Sequence, residues 1–174
     1  MIKSRYNKIY EVTKLANRPP LTSKKEDLIR RVYEEGLEAF QGWFYDPELD
    51  EMIEAQSESS IKQTVHLAID IGLVDPIGCP TKSGTRCINL EKFRAQIDLL
   101  ATSKLAEYGV TIERLNSITE DALKHGLVNF PTSTYLYENC GSDIPKARFL
   151  RYLSLLEGAG SVEVSRKKLY LTFS

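Results

Sequence analysis

A chain of 174 residues, 42% hydrophobic and 27% charged, is long enough to bury a core of its own. No apolar run approaches the roughly 18 residues needed to cross a bilayer, which excludes an obvious membrane helix. The net charge of −1 excludes a uniformly cationic protein, and three cysteines, an odd number, suit a reducing compartment.

The charge is unevenly spread along the chain. From Met1 to Thr22, Lys3, Arg5, Lys8, Lys14 and Arg18 oppose Glu11 alone, whereas Lys24 to Glu58 holds eleven acidic and four basic residues. Such asymmetry hides cationic faces inside a neutral total. Met1 to Tyr6 lacks the apolar core of a secretory signal, so a cytoplasmic chain is expected, associated with the nucleoid if it binds DNA. Segment 1–20 interleaves Tyr6, Ile9, Tyr10 and Val12 with Lys and Arg. It reads as a basic arm lying on DNA, a dimerising amphipathic helix, or an extra helix packed on the first half of the chain.

Ser23-Lys-Lys-Glu26 has the spacing of a capping box, and Leu28, Val32, Leu37 and Phe40 follow at helical intervals until Gly42. Trp43-Phe44-Tyr45 suits a short strand, and Asp46-Pro47 opens a second helix with Leu49, Met52 and Ile53 on one side. A second capping-box spacing, Ser60-Ile-Lys-Gln63, starts a third helix running to Gly72. Ile61, Val65, Ala68 and Gly72 share its inner face; Ser59, Gln63, His66, Leu67 and Asp70 point the other way. Leu73 and Val74 begin a strand, Pro76 to Thr85 reads as a loop, and Arg86 to Leu90 returns as the paired strand.

Glu91 to Tyr108 carries Phe93, Ile97, Leu100 and Leu105 at helical spacing and reads as a connecting helix over 91–111. Ser117-Ile-Thr-Glu120 then caps a helix through Leu127, Val128 to Phe130 forms a short strand, and Pro131 introduces a short helix near Tyr135 and Leu136. Asp143 caps the next helix, with Pro145 in its first turn. Ser161 to Val164 and Leu169 to Phe173 close the chain as two strands.

The two halves repeat. Ile61, Val65, Ala68, Gly72 and Val74 are matched by Phe149, Leu153, Leu156, Gly160 and Val162, each shifted by 88 residues. Ile61-x3-Val65-x2-Ala68-x3-Gly72-Leu73-Val74 resembles the recognition helix and first wing strand of winged-helix proteins, and Phe149 to Val162 is similar, with Ser161 in place of a leucine. The resemblance covers about residues 21–90 and 112–173. It implies an α+β, mostly α fold: two tandem winged-helix domains, 21–90 and 112–174, joined by a connecting helix. A single α+β domain with an accidental repeat is the competing architecture.

In winged-helix proteins the third helix enters the major groove and the wing touches the DNA backbone. The positions matching that role are Ser60, Lys62, Gln63 and His66 in the first module and Lys146, Arg148 and Arg151 in the second. Gln63 and Arg151 are equivalent, and their side chains suit bidentate contacts to adenine and guanine. Lys82 and Arg86, then Arg166, Lys167 and Lys168, are the wing residues expected on phosphates. The ordinary alternative for each is a solvated surface charge.

The resemblance thus implies binding of double-stranded DNA, in transcriptional regulation or replication initiation. Against it stand the weak charge of the first recognition helix, the acidic stretch from Glu34 to Glu54, and Leu67 and Leu155, which at equivalent outward positions suit contact with another protein. Tandem winged helices also serve as assembly subunits in SMC and ESCRT-II-like complexes, so a homodimer or larger protein complex is the alternative partner. No Gly-rich phosphate loop and no paired nucleophile and base suggest catalysis, so no enzyme is expected. No cofactor is expected, and His66 and His125 lie away from zinc-ligand spacing to any cysteine. Cys79 and Cys87, flanking the expected hairpin loop, read as ordinary thiols in preference to a redox pair.

Overall fold

The computed structural model describes residues 5–35, 41–46, 51–56, 58–126 and 130–165, with 41–46 and 51–56 described as backbone alone. The order is α1 (Arg5–Asn17), α2 (Lys25–Glu35), β1 (Gln41–Asp46), β2 (Glu51–Gln56), α3 (Glu58–Ile71), α4 (Lys82–Thr85), α5 (Leu90–Glu107), α6 (Ile112–Lys124), α7 (Ser133–Asn139) and α8 (Lys146–Gly158). The chain divides into two units, Met1–Gln96 and Ile97–Ser174, with the boundary inside α5.

In the first unit α3 packs against α1 and α2. Ile9, Val12, Leu15 and Ala16 recur at helical spacing on α1 and are buried together with Leu28 and Val32 of α2 and Ile61, Val65, Ala68 and Ile71 of α3. Burying each Ile, Leu or Val side chain contributes on the order of 1.5–3 kcal/mol, so packing of these faces supplies most of the helices' stability. Tyr6 and Tyr10 place their rings 5.0 and 4.9 Å from that of buried Phe93. The C-terminus of α1 is closed by Arg31, whose guanidinium donates to the carbonyls of Leu15, Arg18 and Pro20. Segment 1–20 thus supplies a helix whose apolar face is buried within this unit.

In the second unit α7 packs against both α6 and α8. Ile97, Ala101 and Leu105 of α5, Leu115, Ile118 and Ala122 of α6, Leu136 of α7, and Phe149, Tyr152, Leu153, Leu155 and Leu156 of α8 are buried. Thr111, in extended conformation, accepts from the amide of Arg114 and so starts α6 six residues before the expected Ser117. Pro145, with no side-chain capping bond, stands at the start of α8 in place of the expected cap, Asp143.

The α+β expectation is overturned: both cores are made of helices and the turns between them, and no wing follows either third helix among the described residues. After α3, Val74 makes one isolated bridge to Pro80, and the chain then enters α4 instead of a return strand. The cause is local. Thr81 accepts from the amide of Gly84 at 3.1 Å, which starts a helical turn, and the Thr81 hydroxyl donates to the carbonyl of Gly72. After α8, Ser165 makes one isolated parallel bridge to Thr132, and the strand expected at 169–173 lies outside the described residues. The hairpin that does form is β1 with β2, before α3, pairing Trp43 with Glu54 and Phe44 with Ile53. Its second strand replaces the helix expected from Asp46-Pro47.

The repeat survives this correction at α3 and α8. Gly72 and Gly160 follow the two helices with φ of +94° and +81°, where an L side chain is strained. In both cases the next amide donates to a carbonyl in the last turn of the helix: Leu73 to Ala68 and Ser161 to Leu156, each at 2.9 Å. Unit 2, however, has α7 where the first half, 88 residues earlier, has its hairpin.

Candidate nucleic-acid interface

The exposed cations of α8 depend on how its buried face is held. Phe149 is fully buried with its ring centroid 5.4 Å from that of Tyr137. The Tyr137 hydroxyl donates to the carbonyl of buried Ile144 at 3.0 Å. The turn into α8 is tied a second time by Ser142, whose hydroxyl donates to the Tyr108 carbonyl at 2.7 Å and accepts from the Ile144 amide at 3.2 Å. With Phe149, Leu153 and Leu156 turned inward, Arg151 lies on the outer face, Arg148 is exposed one turn earlier at the N-terminal end of the stripe that continues into buried Tyr152 and Leu155, and Lys146 occupies the first helical position.

All three cations are exposed, and the first turn of α8 holds no acidic residue. Arg148 Nη1 donates to Tyr108 Oη at 2.6 Å, while no carboxylate lies within ion-pair distance of Lys146 or Arg151 among the described residues. Tyr108 has no place among the residues expected from the sequence. It stands 40 positions before Arg148, and no local spacing signals the pair.

The equivalent helix of the first unit is less cationic. Lys62, Gln63 and His66 are exposed on α3 within about one turn, but Lys62 Nζ lies 3.2 Å from Glu58 Oε1 and Asp70 follows on the same helix. Ser60 is half-buried inside the first turn, past the helix start at Glu58, and accepts from Lys8 Nζ at 3.0 Å. Burial lowers the Lys8 pKa below the ordinary lysine value, and neighbouring Arg5 lowers it further.

The wing residues are displaced or outside the description. Lys82 opens α4 and Arg86 follows it as its C-terminal cap; both are exposed, but on a one-turn helix and not on a hairpin. The Thr81-Lys-Ser-Gly84 spacing is the readable signal for that turn. Arg166, Lys167 and Lys168 lie outside the described residues, as does much of the acidic stretch from Glu34 to Glu54.

Leu67 and Leu155, expected on the outer faces, are 5% and 0% exposed and belong to the cores of their own units. They offer no surface to a protein partner. The hairpin loop expected between Cys79 and Cys87 is instead a turn followed by α4. Cys79 donates from Sγ to the Thr22 carbonyl at 2.9 Å, and Cys87 is buried, with burial pushing its pKa up to about 11. Among the described residues no group of three His, Cys, Asp or Glu side chains is placed to hold a metal ion, and no helix is long and apolar enough to cross a membrane.

Comparison of the chain with models of protein families, with curated proteins and with solved structures finds no match.

Proposed function

We propose that the chain binds double-stranded DNA, with the Arg151 face of α8 directed into the major groove and Arg148 at the edge of that face. The observation that supports this is the exposure of Lys146, Arg148 and Arg151 together in the first two turns of a helix whose inner face is locked into the core and whose first turn carries no carboxylate. An α-helix fits the major groove, and an arginine there can donate two bonds to guanine O6 and N7. Lys146, at the mouth of the helix, is assigned to the phosphate backbone. The short α7, its turn and α8 have the order of a helix-turn-helix, in which the second helix reads bases. On α3, Gln63 and His66 form the weaker candidate face, because Glu58 and Asp70 offset the charge of Lys62. Reading of a defined site would place the protein among regulators of transcription or initiators of replication.

The test is selection from a random-sequence duplex pool by the purified protein at two salt concentrations. Enrichment of a motif, with retention falling steeply as salt rises, is the expected outcome. Absence of both enrichment and salt-sensitive retention would remove the DNA reading and return attention to a role in a protein assembly.

A further inference from the structure

We infer that Tyr108 is an uncharged DNA-backbone contact, held beside Arg148 so that its hydroxyl and the guanidinium donate to the same phosphate. The inference rests on α8 being the DNA-facing helix. A guanidinium has donors only, so in the 2.6 Å bond from Arg148 Nη1 the Tyr108 oxygen is the acceptor and its own proton points elsewhere. No acceptor for that proton occurs among the described residues. A phosphodiester oxygen reaching Arg148 would meet the tyrosine proton as a second donor, and hydrogen bonds to charged acceptors are the strong ones.

The tyrosine is placed for this from its backbone outward. Its amide donates to the Leu105 carbonyl at 3.0 Å, and its carbonyl accepts from Ser142, which also accepts from the amide of buried Ile144. The ring is half-buried and its hydroxyl is in contact with an exposed arginine. Both donors are therefore preorganised, which lowers the ordering cost of binding.

The test compares wild type, Tyr108→Phe and Arg148→Ala on one random-sequence duplex, measuring Kd at several salt concentrations beside a thermal melt. Tyr108→Phe is expected to weaken binding about tenfold on any sequence, with the melting temperature and the salt slope unchanged, because a neutral donor releases no counterion. Arg148→Ala is expected to weaken binding and to reduce the salt slope by about one. Unchanged affinity of Tyr108→Phe would overturn the inference while leaving duplex binding standing. So would a slope that falls as in Arg148→Ala, since Tyr108 would then act only by holding the arginine. Failure of wild type to retain duplex in a salt-sensitive way would overturn the reading of α8, and this inference with it.

Discussion

Gly72 and Gly160, 88 residues apart, end α3 and α8 in the same left-handed backbone conformation, and each is followed by an amide bonded back into the last turn of its helix. Among the described residues, no atom beyond the chain neighbours lies within 4 Å of the position a Cβ would occupy at either glycine, so a substitution there is opposed by backbone conformation. Gly72→Ala and Gly160→Ala are each expected to destabilise the protein by about 1 kcal/mol, with Asn costing less than Ala at both sites. Denaturant midpoints of the four variants check this; equal midpoints for Ala and Asn would contradict it.

Gly84 is constrained differently. A Cβ there would stand 2.0 Å from the Leu73 carbonyl oxygen, a backbone atom that cannot swing aside. Gly84 also accepts from Asn17 Nδ2 at 3.0 Å, which ties α4 to the end of α1. Gly84→Ala is expected to cost more than Gly72→Ala, on the order of 2–3 kcal/mol, because something packed must move. The same denaturation series ranks the two.

Arg151 and Lys146 divide the work of binding if α8 reads the groove. Arg151→Ala is expected to relax preference at one base position by about 1–3 kcal/mol. Lys146→Ala is expected to weaken binding to all duplexes and to lower the salt slope by about one. Repeating the pool selection with each variant separates the two effects; identical profiles would remove the division.

Cys87 makes stability depend on pH on the alkaline side. Its pKa rises from the ordinary 9.0 to about 11 through burial, so between those values the unfolded chain loses the thiol proton while the folded chain retains it. Fewer protons on the unfolded state mean that stability falls as pH increases through this window, the Cys87 contribution being fully present below about pH 9. Urea midpoints at pH 8 and pH 10.5 should drop more for wild type than for Cys87→Ala. An equal drop would assign the pH dependence to other groups.

The helices were legible wherever apolar periodicity and a terminating glycine coincided. The spacing of Ile61, Val65, Ala68 and Gly72 marks the inner face and end of α3, and Phe93, Ile97 and Leu105 mark α5. Outward faces were less legible, because a helix with neighbours on two sides buries a stripe wider than one row: Leu67 turns inward on α3, which packs against both α1 and α2, and Leu155 is buried likewise on α8. The missing wing has a different origin. Gly, Pro, Ser and Thr between Pro76 and Thr85 suit both a hairpin loop and a capped helical turn, and what separates them is a contact: the Thr81 hydroxyl caps the turn and bonds the Gly72 carbonyl nine residues before it. Tyr108 was invisible for the same reason: its significance depends on a contact 40 residues away.

The bonds joining Thr22 to Gly78 and Cys79 to Thr22 link positions 56 and 57 residues apart, directly before α2 and after α3. The segment where a free-standing hairpin was expected is instead a clasp on the start of the chain. On a ribosome, α1 and α2 emerge well before the residues that fasten them, and the first unit remains open at that edge until Cys79 has cleared the exit tunnel. A growing chain halted shortly before that point would therefore present Leu28 and Val32 unfastened to whatever chaperone or protease is at hand, whereas one halted once Phe93 has also left the tunnel would not.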